Sequence, residues 1–147
     1  MQVEVVTKIE IERPLAVVAA YAFDPANAPH WYQNIQSVRW RTDPPVALGS
    51  EMDFVARFLG RELAYTYRVV ELTPNRLVMA TAQGPLAMET TYQLQAMGPA
   101  RTRMCLINRG APKGFAGIMA PVLSGAMKAA NRKDLVAIKT ILETQGQ

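Results

Sequence analysis

At 147 residues, half of them apolar and 19% charged, the chain has the length and composition of a globular domain that needs no metal or disulfide staple. Its one cysteine, Cys105, excludes an internal disulfide and suits a reducing cytoplasm, and with a single histidine there is no Cys/His zinc cluster. The formal charge of +4 is uneven: residues 101–147 hold 8 Lys/Arg against 2 Asp/Glu, a solvated basic face or a surface for RNA, ribosome or acidic lipid.

The N-terminus, MQVEVVTKIEIERP, alternates polar and apolar residues and carries three acids. A signal peptide has a basic start followed by a continuous apolar run, so none is expected here. No stretch approaches the roughly 20 apolar residues of a membrane span. A cytoplasmic protein is the expectation.

Val3 to Glu12 alternates at period two and predicts a strand with Val3, Val5, Ile9 and Ile11 on its core face. Arg13-Pro14 ends it, and proline suits the first turn of a helix, so Leu15 to Phe23 reads as a short helix burying Val17, Val18 and Tyr21. Asp24-Pro25 closes that helix and opens a second turn-like piece, Ala26 to Tyr32. Residues 35–109 then read as strands separated by Asp43-Pro44-Pro45, Leu59-Gly60, Pro74-Asn75, Gly84-Pro85 and Gly98-Pro99. Short connections between sequential strands make an antiparallel meander. From Lys113 the period lengthens: Ile118, Met119, Val122, Met127, Ala130, Leu135, Ile138 and Leu142 recur at helical steps. The start of this helix, with Gly114, Gly117, Pro121 and Gly125, is soft and reads as a gate.

The order strand, two short helices, six strands, long helix predicts an α+β fold in one domain spanning residues 1–147. A seven-stranded curved antiparallel sheet wraps the C-terminal helix, the one element long enough to cover its apolar face. Alternate residues of a strand face opposite sides. Met52, Phe54, Ala56 and Phe58 therefore share a face, as do Leu63, Tyr65, Tyr67 and Val69. So do Leu86, Met88, Thr90, Tyr92 and Leu94, and so do Thr102, Met104, Leu106 and Asn108. Charges fall mostly on the opposite faces, and residues 35–41 and 76–82 are ambiguous. An inner face of Met, Phe and Tyr with a few hydroxyls fits either a solid core or a concave apolar site with polar handles. Met52, Met79, Met88, Met104, Met119 and Met127 would give such a site adaptable walls.

The stretch IEIERPLAVVAAYAFDPANAPHW resembles the start of START-related helix-grip proteins of the polyketide cyclase/dehydrase and lipid transport type. LGSEMDF, YRVVELTPNRLV and NRKDLVAIKTILE resemble that family's third-strand start, its V-x-E-x-x-P turn and its last helix. The resemblance spans about residues 3–144. It implies a seven-stranded sheet gripping the last helix around an apolar ligand pocket, with Trp31 near one end of it. Carriers, cyclases, receptors and proteins that bind macromolecules share this fold, so fold alone leaves the activity open.

Combined with the strand faces, the candidate ligand-binding residues are Trp31, Met52, Phe54, Phe58, Tyr65, Tyr67, Met79, Met88, Thr90, Tyr92, Met104, Asn108, Ile118, Met119 and Val122. Tyr65, Tyr67 and Tyr92 are candidate hydrogen-bond donors to a substrate carbonyl or enolate, and His30 a candidate general base. A Cys105–His30 nucleophile pair is disfavoured because Cys105 falls on an outer face. No metal cluster, phosphate loop, dinucleotide fingerprint or Rieske ligand set is present, so no cofactor is expected. The leading expectation is a binding protein for a lipid, polyketide or isoprenoid-like molecule, with no nucleic-acid partner and an assembly state compatible with a homodimer. The alternatives are a cyclase/dehydratase acting through the pocket tyrosines, and an interaction module using the basic C-terminal face.

Overall fold

Period-two alternation extends the chain into strands, and the computed structural model shows how they close on the helix. The structure describes residues 3–84, 87–110 and 120–146. In order these form β1 (Val3–Ile11), α1 (Leu15–Ala22), a 3-10 turn (Pro25–Asn27), α2 (Ala28–Trp31), β2 (Ile35–Trp40), β3 (Glu51–Phe58), β4 (Arg61–Thr73), β5 (Arg76–Gln83), β6 (Met88–Ala96), β7 (Thr102–Gly110) and α3 (Ala120–Gln145). The seven strands make one antiparallel sheet in the order β1-β7-β6-β5-β4-β3-β2, a meander whose last strand returns to the first. This is the predicted helix-grip architecture. Pro14 sits where expected: its carbonyl accepts the Val17 and Val18 amides and opens α1. The predicted stripe of α1 is shifted, with Val18 and Ala22 fully buried and Val17 and Tyr21 half-buried.

The two stretches that alternation left ambiguous contain or face bulges. In β2 the register against β3 shifts between Ile35 and Ser37, so Ile35, Val38 and Trp40 face inward despite their uneven spacing. In the β4–β5 pair a shift between Val69 and Glu71 leaves Val70 as the extra residue, exposed to solvent. After it, Leu72 takes the inward position opposite Leu77. Each extra residue reverses the facing of the rest of its strand and increases local twist, which helps the sheet curl.

The interior divides in two along α3. Around Leu135, Ile138 and Leu142 it is solid, filled by Ile11, Val18, Trp31, Leu94 and Met104. Around Leu123 the packing is looser, with Val3 and Val5 buried and Phe58, Leu63, Met88 and Met127 half-buried beside them. Val122, expected to face inward, is 59% exposed, while Leu123 beside it is 2% exposed. Met127 lies five residues on from Val122, about 140° around a helix, so the two cannot share one stripe; the buried stripe runs through Leu123, Met127, Asn131, Leu135, Ile138 and Leu142. Pro121 occupies the first turn of α3, where its missing amide hydrogen costs no bond, and Gly125 lies inside the helix. The remainder of the predicted gate, with Ile118 and Met119, lies outside the described residues, as does Leu86.

Charge that is segregated in sequence is paired in space. Glu10 stands opposite Arg103 and Glu4 opposite Arg109 across β1–β7, and each pair forms an ion pair; Arg101 pairs with Glu12. The basic residues of β7 are therefore met by the acids of β1, leaving Lys128, Arg132 and Lys133 as exposed cations of α3. Such exposed pairs each contribute at most about 1 kcal/mol.

One buried ionisable group ties α3 to the segment after α2. Asp134 is fully buried; its Oδ1 accepts the Gln33 amide at 2.9 Å and its Oδ2 has no partner. Burial raises its carboxyl from 3.8 to about 7. The folded protein thus holds a proton that the unfolded chain releases between pH of about 4 and 7, and stability falls as pH rises through that window. Asp134→Asn keeps an oxygen for the Gln33 amide and removes the charge. It should raise stability at pH 8 by on the order of a few kcal/mol and flatten the pH profile of the thermal midpoint; an unchanged slope would show that the carboxylate is not the cause. A second test is Gly84, which has a φ of +143° and would place a Cβ 2.8 Å from the Cβ of Tyr65. Gly84→Ala should cost about 1–3 kcal/mol in denaturant unfolding and displace the Tyr65 ring.

Candidate functional site

Between the solid half and the end of the barrel-like curl lies a cavity. Its atom-free volume is about 900 Å³ counted out through its opening, of which about 120 Å³ admits the centre of a water-sized sphere. One water needs roughly 10–15 Å³ by that measure, so the cavity has room for on the order of ten. The sheet supplies Phe54, Ala56 and Phe58 from β3, Leu63, Tyr65 and Tyr67 from β4, Met79 from β5, Met88, Thr90 and Tyr92 from β6, and Asn108 from β7. The cover is Leu123, Met127, Ala130 and Asn131 of α3, with Tyr32, Asn34 and Ile35 closing one side.

Regular cross-strand pairing places these residues. Met79 stands opposite Thr90, and Thr90 opposite Asn108, which puts three inward side chains in one row across β5, β6 and β7. Phe54 stands opposite Tyr65, and their rings stack with centroids 5.6 Å apart; Tyr67 meets Phe54 edge-on at 5.4 Å and Tyr65 at 5.0 Å. These contacts hold an aromatic wall in place.

A continuous polar chain crosses the apolar wall. The Tyr67 hydroxyl lies 2.7 Å from Thr90 Oγ1, which donates to Asn108 Oδ1 at 2.8 Å. Threonine has one proton to give, so Tyr67 must be the donor of the first bond. Asn108 Nδ2 donates to the Tyr32 hydroxyl at 2.9 Å, and that hydroxyl donates to Asn131 Oδ1 at 3.4 Å. Among the described residues, no group accepts from or donates to the hydroxyls of Tyr65 and Tyr92. Burial pushes the phenols of Tyr32, Tyr65 and Tyr92 well above their usual 10. It takes Tyr67 to about 12, opposed by its bond to Thr90. All four therefore stay protonated near neutrality and act as donors, not bases.

Of the residues predicted for the site, Phe54, Phe58, Tyr65, Tyr67, Met79, Met88, Thr90, Tyr92 and Asn108 are brought together around this space. Trp31, Met52 and Met104 are not. They are at most 1% exposed and belong to the packed core, and Trp31 lies behind Tyr32 and Tyr92 with ring centroids 5.4 and 5.5 Å away. Val122 points to solvent, and His30 is exposed on α2, outside the cavity wall. A general base at His30 is thereby set aside. Tyr32 and Asn131 were missed. Asn131 carried a signal: it stands four residues after Met127 and four before Leu135, on the buried stripe of the helix. Among the described residues no three His, Cys, Asp or Glu side chains gather as a metal site.

Comparison with known proteins agrees with this fold. A START superfamily protein from Mycobacterium smegmatis superposes with a TM-score of 0.84 at 14% identity, covering 97% of this chain and 98% of its own. TTHA0849 from Thermus thermophilus gives 0.82 at 16% identity, covering 98% and 99%. The Zhui aromatase/cyclase from Streptomyces sp. R1128 gives 0.79 at 15% identity, covering 100% and 97%. At these identities the likeness shows a shared fold. No curated protein matches the sequence at a significant level. The family model described as polyketide cyclase/dehydrase and lipid transport matches residues 2–143, nearly the whole chain, and the protein belongs to that family.

Proposed function

We propose that this chain is a single-domain binding protein for a hydrophobic small molecule, of lipid, polyketide or isoprenoid type, held between the sheet and the first half of α3. The observation that carries this reading is the cavity itself. It has aromatic and methionine walls and one chain of neutral hydrogen-bonding groups. Apolar walls with a few fixed polar groups are the usual construction of a small-molecule site. Methionines at 79, 88 and 127 let the walls follow ligands of different outline. A cytoplasmic setting suits the free thiol of Cys105.

A cyclase-type enzyme is the second reading, favoured by the neutral phenols and by the family, which includes the fold of an aromatase/cyclase. Phenol donors would stabilise the charge that develops on an enolate oxygen. Proton abstraction needs a base as well, and the described lining offers none with a suitable pKa. Binding therefore ranks above catalysis. The basic face of α3 ranks third, since the arginines of β7 are already paired.

The test uses a neutral apolar dye such as Nile red, followed by fluorescence, together with native mass spectrometry for a retained ligand. Ala130 lies on the cavity side of the helix. Ala130→Phe should fill the space and weaken dye binding by at least about tenfold, while costing no more than about 1–3 kcal/mol of stability from overpacking. Dye binding that is absent in the parent, or equal in a folded Ala130→Phe, would count against this site.

A further inference from the structure

The polar chain in the cavity ends on a donor that the protein leaves unused. Asn131 is 3% exposed, lines the cavity, and spends its Oδ1 on the Tyr32 hydroxyl, while its Nδ2 has no partner among the described residues. Exchanging the two ends of the amide does not remove the surplus. Nδ2 would then donate to Tyr32, whose hydroxyl already accepts from Asn108, leaving the phenol proton without an acceptor and Asn131 Oδ1 without a donor, two unpaired groups in place of one. As placed, with fewer groups unpaired, the chain Tyr67–Thr90–Asn108–Tyr32–Asn131 ends on an amide donor with no acceptor among the described residues. A buried polar group without a partner costs about 1–3 kcal/mol, a cost that a ligand oxygen reaching this amide from the cavity would remove.

The charges nearby restrict which oxygen. The one cation among the described lining residues is Arg109, and its guanidinium is held by Glu4 and Glu89. Asp134 follows Asn131 by three residues, on the same side of α3, with one carboxyl oxygen unpaired. An anionic headgroup would therefore enter an apolar site with no counter-ion and a carboxyl group close by.

We propose that Asn131 is the specificity-determining residue of the cavity and selects neutral ligands that carry a hydrogen-bond acceptor, such as a ketone or ester carbonyl, over hydrocarbons and carboxylates of the same shape. This rests on the binding function proposed above and gives it a ligand class.

Three probes of one outline separate the cases: acetylnaphthalene, isopropenylnaphthalene and naphthoate, each titrated by calorimetry into the parent and into Asn131→Leu. The parent should bind the ketone about tenfold more tightly than the hydrocarbon, the equivalent of one buried neutral hydrogen bond, and should bind naphthoate weakest. Asn131→Leu should abolish the preference for the ketone, so that ketone and hydrocarbon bind the variant with equal affinity. Equal affinity for ketone and hydrocarbon in the parent overturns the inference while leaving the binding function standing. So does a ketone preference that survives in Asn131→Leu, or a tighter hold on naphthoate. Failure of all three probes to bind overturns the binding function itself. The parent protein gives a reading independent of whether the variant folds: the ketone, and not the hydrocarbon, should move the side-chain amide resonances of Asn131 downfield. Equal movement with both, or none, overturns the inference.

Discussion

One helix has to cover the apolar face of seven strands, and the rest of the molecule is shaped by how unevenly it does so. Leu135, Ile138 and Leu142 put large branched side chains against the sheet, and there the interior is solid. One to three turns earlier the same helix face carries Met127, Ala130 and Asn131, and there a cavity remains. Burying a Leu or Ile contributes about 1.5–3 kcal/mol each. A closed, empty hollow of 120 Å³ would cost on the order of 3 kcal/mol at about 24 cal/mol per Å³, and water entering through the opening lowers that. The solid half can offset a hollow of that size. The division of labour along α3 lets one short chain be both stably folded and hollow.

The sheet contributes the complementary half of this arrangement. Its regular ladders, β3 with β4 and β6 with β7, aim Phe54, Tyr65, Thr90 and Asn108 inward without interruption. Its bulges, in β2 and in the β4–β5 pair, lie on other strand pairings and help the sheet curl. Curvature and alignment are therefore handled by different strand pairings, with β3 and β4 taking part in both.

The same difference decides how much of the site is legible in the sequence. Where pairing is regular, period-two alternation named the inward residues of β3, β6 and β7 correctly. Where a strand gains a residue, the pattern reverses partway along, and neither Ile35–Trp40 nor Leu77–Met79 can be assigned from alternation alone. Across the loop-rich start of the last helix, the expected stripe mixed two helical phases, which placed exposed Val122 inside and overlooked Leu123. Trp31, Met52 and Met104 show a separate gap. Alternation says which way a side chain points, and only three-dimensional packing says whether it meets a cavity or another side chain. Tyr32 was hidden because a polar residue just after a short helix reads as surface, and Asn131 because a basic helix reads as solvated despite its place on the buried stripe. Similarly, part of the surplus of positive charge after residue 100 is met by acids once β7 lies beside β1, leaving Lys128, Arg132 and Lys133 exposed on α3.

The chemistry of the cavity is then set by which of its parts are rigid and which are not. Methionine side chains at 79, 88 and 127 have several rotatable bonds and can follow different outlines at little cost. The polar groups have no such freedom. Thr90 is fixed between Tyr67 and Asn108, Asn108 between Thr90 and Tyr32, and each bond fixes the direction of the next proton. A site built this way tolerates changes in shape and penalises changes in polarity, because reshaping a methionine wall costs rotamer energy while misplacing an acceptor leaves buried donors unpaired. On the proposed binding function, discrimination would accordingly reside in a short chain of neutral hydrogen bonds rather than in the far larger apolar surface around it.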